Sequence, residues 1–166
     1  MICYIENCVR VHYNAEAQLL HYGWCGDTIT TDGLRPALEA IAVLAQQLRI
    51  RQCLLDISTL PAISIEDQFW LLHTWLPKVC VPTVECVALI VGSRQYNLMV
   101  IENILQAGRR FIHFEVQLFF ELEAAFDWLV GGREEAAQRL LDEWHRPQSV
   151  YDDVEALLVN ALPLCR

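Results

Sequence analysis

The chain has a single lysine, Lys78, and its arginines are scattered except for the pair Arg109 and Arg110. No basic patch can be assembled from so few. With 21 acidic against 12 basic side chains and a net charge of -9, the field of the molecule repels phosphate backbones and anionic membrane surfaces, so nucleic acid is not an expected partner. An uninterrupted apolar stretch long enough to span a bilayer is also missing, because Asp56, Glu85 and Glu102 punctuate the most hydrophobic regions. Residues 1–10 carry Glu6 where a signal peptide needs an apolar block, with no basic residue before it; no export and a cytoplasmic location are expected.

Metal and catalytic signatures are absent as well. No C-x-x-C occurs, no histidine pair is spaced as H-x-x-x-H beside an acid, and G-x-G-x-x-G, P-loop, G-x-S-x-G and H-E-x-x-H patterns do not appear. No metal, no cofactor and no catalytic residue is therefore assigned. The seven cysteines form an odd, irregularly spaced set in apolar contexts, which reads as reduced thiols acting as small core residues. Cys25, at a strand exit near His21, lies too far along the strand from that histidine to act with it, since residues four apart are separated by roughly 13 Å at strand rise.

What is present is core material and an order of elements. A length of 166 residues with 54 % hydrophobic composition suits one substantial core. Residues 8–13 and 18–24 are β-prone runs separated by Asn14-Ala15-Glu16-Ala17, which predicts a hairpin with its turn there. Residues 34–48 repeat apolar side chains at helical spacing, with Pro36 in the first turn. Residues 51–57 and 85–91 are nearly continuous apolar runs, the pattern of strands covered on both faces. Between them Ser64 caps a helix, with Asp67 returning the bond, that ends near Pro77. A helix over 95–107 stops at Gly108, a strand over 114–120 follows, and a helix over 122–129 ends at Gly131-Gly132.

This order predicts an α/β fold: a mixed sheet of four to five strands covered by about four helices, occupying residues 1–132. Residues 133–166 read as an extension, a C-terminal helical hairpin of amphipathic helices over 134–144 and 152–162, the second capped by Ser149 and Asp152. Its apolar stripes need cover from the same core or from a partner chain.

Several side chains stand out. Asp56 lies at the carboxyl end of a central strand, where open α/β sheets bind ligands. Ser64, Glu66 and Asp67 gather at a helix start whose free N–H groups favour an anion, so with Asp56 they form a candidate ligand or phosphorylation loop, capping being the ordinary role of such residues. In the helix that follows, Ile65, Phe69, Leu72 and Leu76 share one face, which predicts that face buried and leaves Trp70 and Thr74 outward. Trp75 flanks the buried face, Trp128 is off the stripe of its helix, and Trp144 belongs to the extension. These five form a candidate interface for a protein partner or a homodimer, with cover by the chain's own extension as the alternative.

The opening strands with Tyr22-Gly23-Trp24, Leu54-Leu55-Asp56, Ser64-x-Glu66-Asp67-x-x-Trp70 with Trp75-Leu76-Pro77, Val87-Ala88, and Phe120 with Ala124, Ala125, Trp128 and Leu129 together resemble the bacterial STAS/SEC14-like (SpoIIAA-like) domain family over about residues 8–131. The resemblance implies a STAS/SpoIIAA-like sheet and a non-catalytic regulatory protein acting through protein–protein contact. It extends toward SEC14-like proteins, and a chain this hydrophobic can line a cavity as readily as fill one, so a carrier of a small apolar molecule or lipid is the alternative. A third expectation is an enzyme using Asp56, Glu66 or Asp67 as acid or base. In family members that are anti-sigma factor antagonists the loop after the central strand carries Asp-Ser-Ser-Gly, whose second serine is phosphorylated. Here the loop reads Pro61-Ala62-Ile63-Ser64-Ile65-Glu66-Asp67, without the tandem serine or the glycine.

Overall fold

The alternation of Val9, Val11 and Tyr13 with Arg10, His12 and Asn14 is the period of a strand with two chemically different faces. In the computed structural model, which describes residues 2–5, 9–24, 31–92 and 95–146, that segment is β2 (Val9–Asn14). It pairs antiparallel with β1 (Ile2–Ile5) on one side and β3 (Leu19–Trp24) on the other. Then β4 (Gln52–Asp56), β5 (Cys86–Ile90) and β6 (Glu115–Phe119) add in parallel, so six strands lie in sequence order. The five strands expected from sequence all form; β1 is additional, a four-residue edge strand too short to announce itself by alternation.

The hairpin register corrects the expected turn. Asn14 stays in the ladder opposite Leu19, and the turn occupies residues 15–18. Asn14 Oδ1 accepts the Ala17 N–H at 2.9 Å, and Gln18 takes the left-handed conformation (φ 51) that closes the loop. The pairing that results sets His12 directly across from His21.

Each parallel crossover carries helices to a face of the sheet. On one face lie α1 (Thr31–Gln47), the rod formed by α2 (Ile65–Trp70), a π-helical turn (Leu71–Trp75) and α3 (Leu76–Val79), and α4 (Gln95–Ala107). They pack on Leu20, Tyr22, Cys53, Leu55 and Val87. On the other face α5 (Leu122–Leu129) and α6 (Glu134–His145) cover Leu19, Leu54, Ala88 and Ile90. Central strands thus bury both of their faces, which is why β4 and β5 read as continuous apolar runs. No described helix is long and apolar enough to cross a membrane.

The second helix does not present the expected face. Ile65 and Phe69 are 81 % and 67 % exposed and Leu72 is half-buried, so of the expected face Leu76 alone is buried, joined on the inside by Asp67, Leu71 and Trp75. Two causes combine: Asp67 is drawn inward by Arg35 on α1, and the wider π-helical turn brings both Trp75 and Leu76 to the sheet side. A face deduced from 3.6-residue spacing fails where the period itself changes.

Helix α5 ends on Gly131 and Gly132, both left-handed (φ 66 and 73), with Gly131 N–H on Trp128 O and Gly132 N–H on Asp127 O. The chain then folds back as α6 onto its own sheet, burying Ala137, Leu140 and Leu141. The expected helix over 152–162 with its Ser149 and Asp152 cap, and Cys25, lie outside the described residues.

Candidate functional site

At the start of α2, Ser64 Oγ accepts the Asp67 N–H at 3.1 Å and donates to Asp67 Oδ2 at 2.7 Å, while Arg35 Nε donates to Asp67 Oδ1 at 2.7 Å. The returned bond goes to the serine hydroxyl, not to its backbone N–H. A cap of this kind contributes about 1 kcal/mol. The largely buried Asp67 carboxylate is further held by its charge-assisted bond to Arg35, whose guanidinium also lies 5.5 Å from the Trp70 ring. Glu66 is exposed. Asp56 is occupied elsewhere: its Oδ1 accepts from Ser58 N–H at 2.9 Å and from Ser58 Oγ at 2.6 Å. Among the described residues no hydrogen bond joins Asp56 to Ser64, Glu66 or Asp67.

The five candidate interface residues scatter over the molecule. Trp70 is half-buried beside Arg35 and Thr74 is exposed. Trp75 is turned inward, its Nε1–H donating to Leu38 O at 2.7 Å, because the π-helical turn rotates it toward α1. Trp128 is half-buried, 5.6 Å from the Phe119 ring, and Trp144 is half-buried against the opposite face of the sheet. Among the described residues the large exposed apolar side chains are Ile65 and Phe69 on α2, Tyr96 and Met99 on α4, Val43 on α1 and Phe120 after β6; α2 and α4 are bridged by Gln68 Nε2 and Tyr96 Oη at 3.0 Å.

Between the first face of the sheet and α1, the π-helical turn and α4 lies an apolar chamber of about 110 Å³. Its walls include Leu20 and Leu55 from the strands, Ala45 from α1, Trp75 from the π-helical turn and Ile101 from α4. The few polar groups near it are already paired: Tyr22 with Cys53, and the Trp75 indole with Leu38. Burial pushes the Cys53 thiol up to about 12 and the Tyr22 hydroxyl well above its ordinary value, so neither offers an anion or a proton in the neutral range. Cys80 is likewise pushed up by burial, to about 11. Such a chamber holds an apolar guest by dispersion and exclusion of water; it has no group suited to acid–base or nucleophilic work. Among the described residues no three His, Cys, Asp or Glu side chains gather where they could hold a metal.

The chamber itself was not legible from sequence, because elements from β3 through β6 all supply its walls; of these residues Trp75 alone was a candidate, and then as part of an interface. The polar patch on the opposite face, Arg10, His12, Asn14 and His21, was missed too, although the strict alternation of β2 was a readable signal for it. Comparison with models of known protein families, with curated proteins and with solved structures returns no match.

Proposed function

We propose that the protein is a non-catalytic binding protein whose guest is a small apolar molecule held in the chamber between the sheet and α1, the π-helical turn and α4. The carrying observation is the chamber itself, about 110 Å³ with an almost wholly apolar wall. A dry cavity of roughly 150 Å³ lined by Leu, Ile and Phe takes up benzene, so a single ring or a short alkyl chain is the appropriate size of guest. The π-helical turn supports the reading, since such turns concentrate at functional sites and this one contributes Leu71 and Trp75 to the wall. The resemblance to STAS/SEC14-like proteins belongs to the same proposal and is compatible with the α/β architecture; the free thiols of Cys53, Cys80 and Cys86 suit a reducing, cytoplasmic setting.

Titration with fluorobenzene followed by ¹⁹F NMR tests this. Saturable binding to the wild type is expected, weakened at least tenfold in Val87→Phe, whose ring takes the guest's place. Absence of saturable binding to the wild type would sink the proposal.

A second reading, self-association or protein contact through α2 and α4, is favoured by the adjacent exposed side chains Ile65, Phe69, Tyr96 and Met99. Light scattering after size exclusion is expected to show a dimer that Phe69→Asp converts to monomer. A wild-type monomer at every concentration argues against a homodimer.

A further inference from the structure

Helix α6 closes over the most polar part of the sheet. β2 turns Arg10, His12 and Asn14 toward it, β3 turns His21, and α6 meets them with Glu143 and Trp144. Glu143 Oε2 bonds His12 Nε2 at 2.9 Å and accepts from Asn14 Nδ2 at 3.0 Å. The Trp144 ring lies 3.7 Å from the His21 ring at an interplanar angle of 30°, and the Arg10 guanidinium sits 4.4 Å from the same indole. From below, the edge of Phe126 on α5 approaches His21 at 5.4 Å. His21 is fully buried, yet neither of its ring nitrogens has a hydrogen-bond partner among the described residues, and His12 Nδ1 has none either. Two facing imidazoles are therefore shut into a space where, among the described residues, Glu143 is the one carboxylate in contact.

We propose that α6 is an acid-released flap, hinged at Gly131-Gly132, that lifts from the β2–β3 face when His12 and His21 take up protons. The hinge has the required freedom: both glycines hold left-handed backbone, and a Cβ at either would meet nothing within 4 Å. The charged groups acting on the pair are the chain's amino terminus, Arg10 and the other histidine from the strands, and Glu143 and His145 from α6; α5 contributes the Phe126 ring. Added protons place two imidazolium charges beside Arg10 against the single carboxylate of Glu143.

Burial lowers His12 to about 4, with Glu143 opposing, and lowers His21 well below its ordinary value, with His12, Arg10 and His145 acting in the same sense. In the released state both return toward the ordinary value of about 6.5. Between these limits the released state binds more protons than the closed one. The closed state is thus fully favoured above about pH 6.5 and loses ground as pH falls toward 4, by up to about tenfold per histidine per pH unit.

Hydrogen exchange by mass spectrometry at pH 7.5 and 5.5, corrected for intrinsic rates, tests the flap. Protection over residues 134–145 is expected to fall at least tenfold at the lower pH while β4 and β5 keep theirs, and His12→Gln/His21→Gln is expected to flatten the response. Should the double variant not fold, the ring-proton NMR titration of wild-type His21 decides: its midpoint must coincide with loss of α6 protection. Equal protection of α6 at both pH values, simultaneous loss from α6 and the central strands, or titration of His21 beneath a protected α6 each overturns the proposal.

Discussion

Trp75→Ala is expected to lower stability by about 3–5 kcal/mol, the usual cost of deleting a large buried aromatic side chain, and at the same time to admit a bulkier guest. Trp75 is buried among α1, the sheet and α4, and the substitution also leaves Leu38 O without the indole N–H that meets it at 2.7 Å. Urea unfolding under reducing conditions reads the first effect. The second is read by naphthalene, which the wild-type chamber of about 110 Å³ excludes and the enlarged one accommodates. A loss under 1 kcal/mol, or naphthalene binding equally to both proteins, would show that Trp75 does not wall the chamber.

Phe126→Ala is expected to cost a similar 3–5 kcal/mol on the opposite layer. Among the described residues Phe126 is the largest of the fully buried side chains, and it packs with Leu19, Leu54 and Ala88 beneath α5, so little around it is free to collapse into the vacated volume. It also bears edge-on against His21, and its loss is expected to speed exchange in α6 at neutral pH, whereas Trp75→Ala leaves α6 protection relative to β4 and β5 unchanged. If Phe126→Ala leaves the urea midpoint unmoved, the second core is not built as described.

The two layers differ in how far they could be read from the chain. Strands β2 to β6 and their intervening helices follow from runs such as 85–91 and from stops such as Gly108 and Gly131-Gly132, because burial on both faces and helix termination are local in sequence. The Ser64 cap was legible for the same reason. The inward face of α2 was not, since it depends on an ion pair with Arg35, 32 residues away, and on a π-helical turn that ordinary periodicity does not encode. The His12–His21 pair depends on hairpin register: a turn at residues 14–17 places Leu19 opposite His12, and only the Asn14 side-chain bond and the left-handed Gln18 bring His21 there. Trp70, Trp75 and Trp128 looked alike as off-stripe or flanking residues, and Trp144 lay on the stripe of the extension, yet Trp75 turns inward, the others are half-buried in different places and Thr74 is exposed, which spacing along one helix cannot distinguish.

The strand order has a consequence for how the molecule is built. Every strand pairs with the one made just before it, and none is inserted between two earlier strands. A chain emerging N-terminus first can therefore lay down its sheet by simple accretion, each new βα unit docking on a finished edge without displacing anything. The apolar chamber, walled by elements from β3 through β6, is complete before α6 has been synthesised, so that helix arrives to cover a sheet that is already assembled.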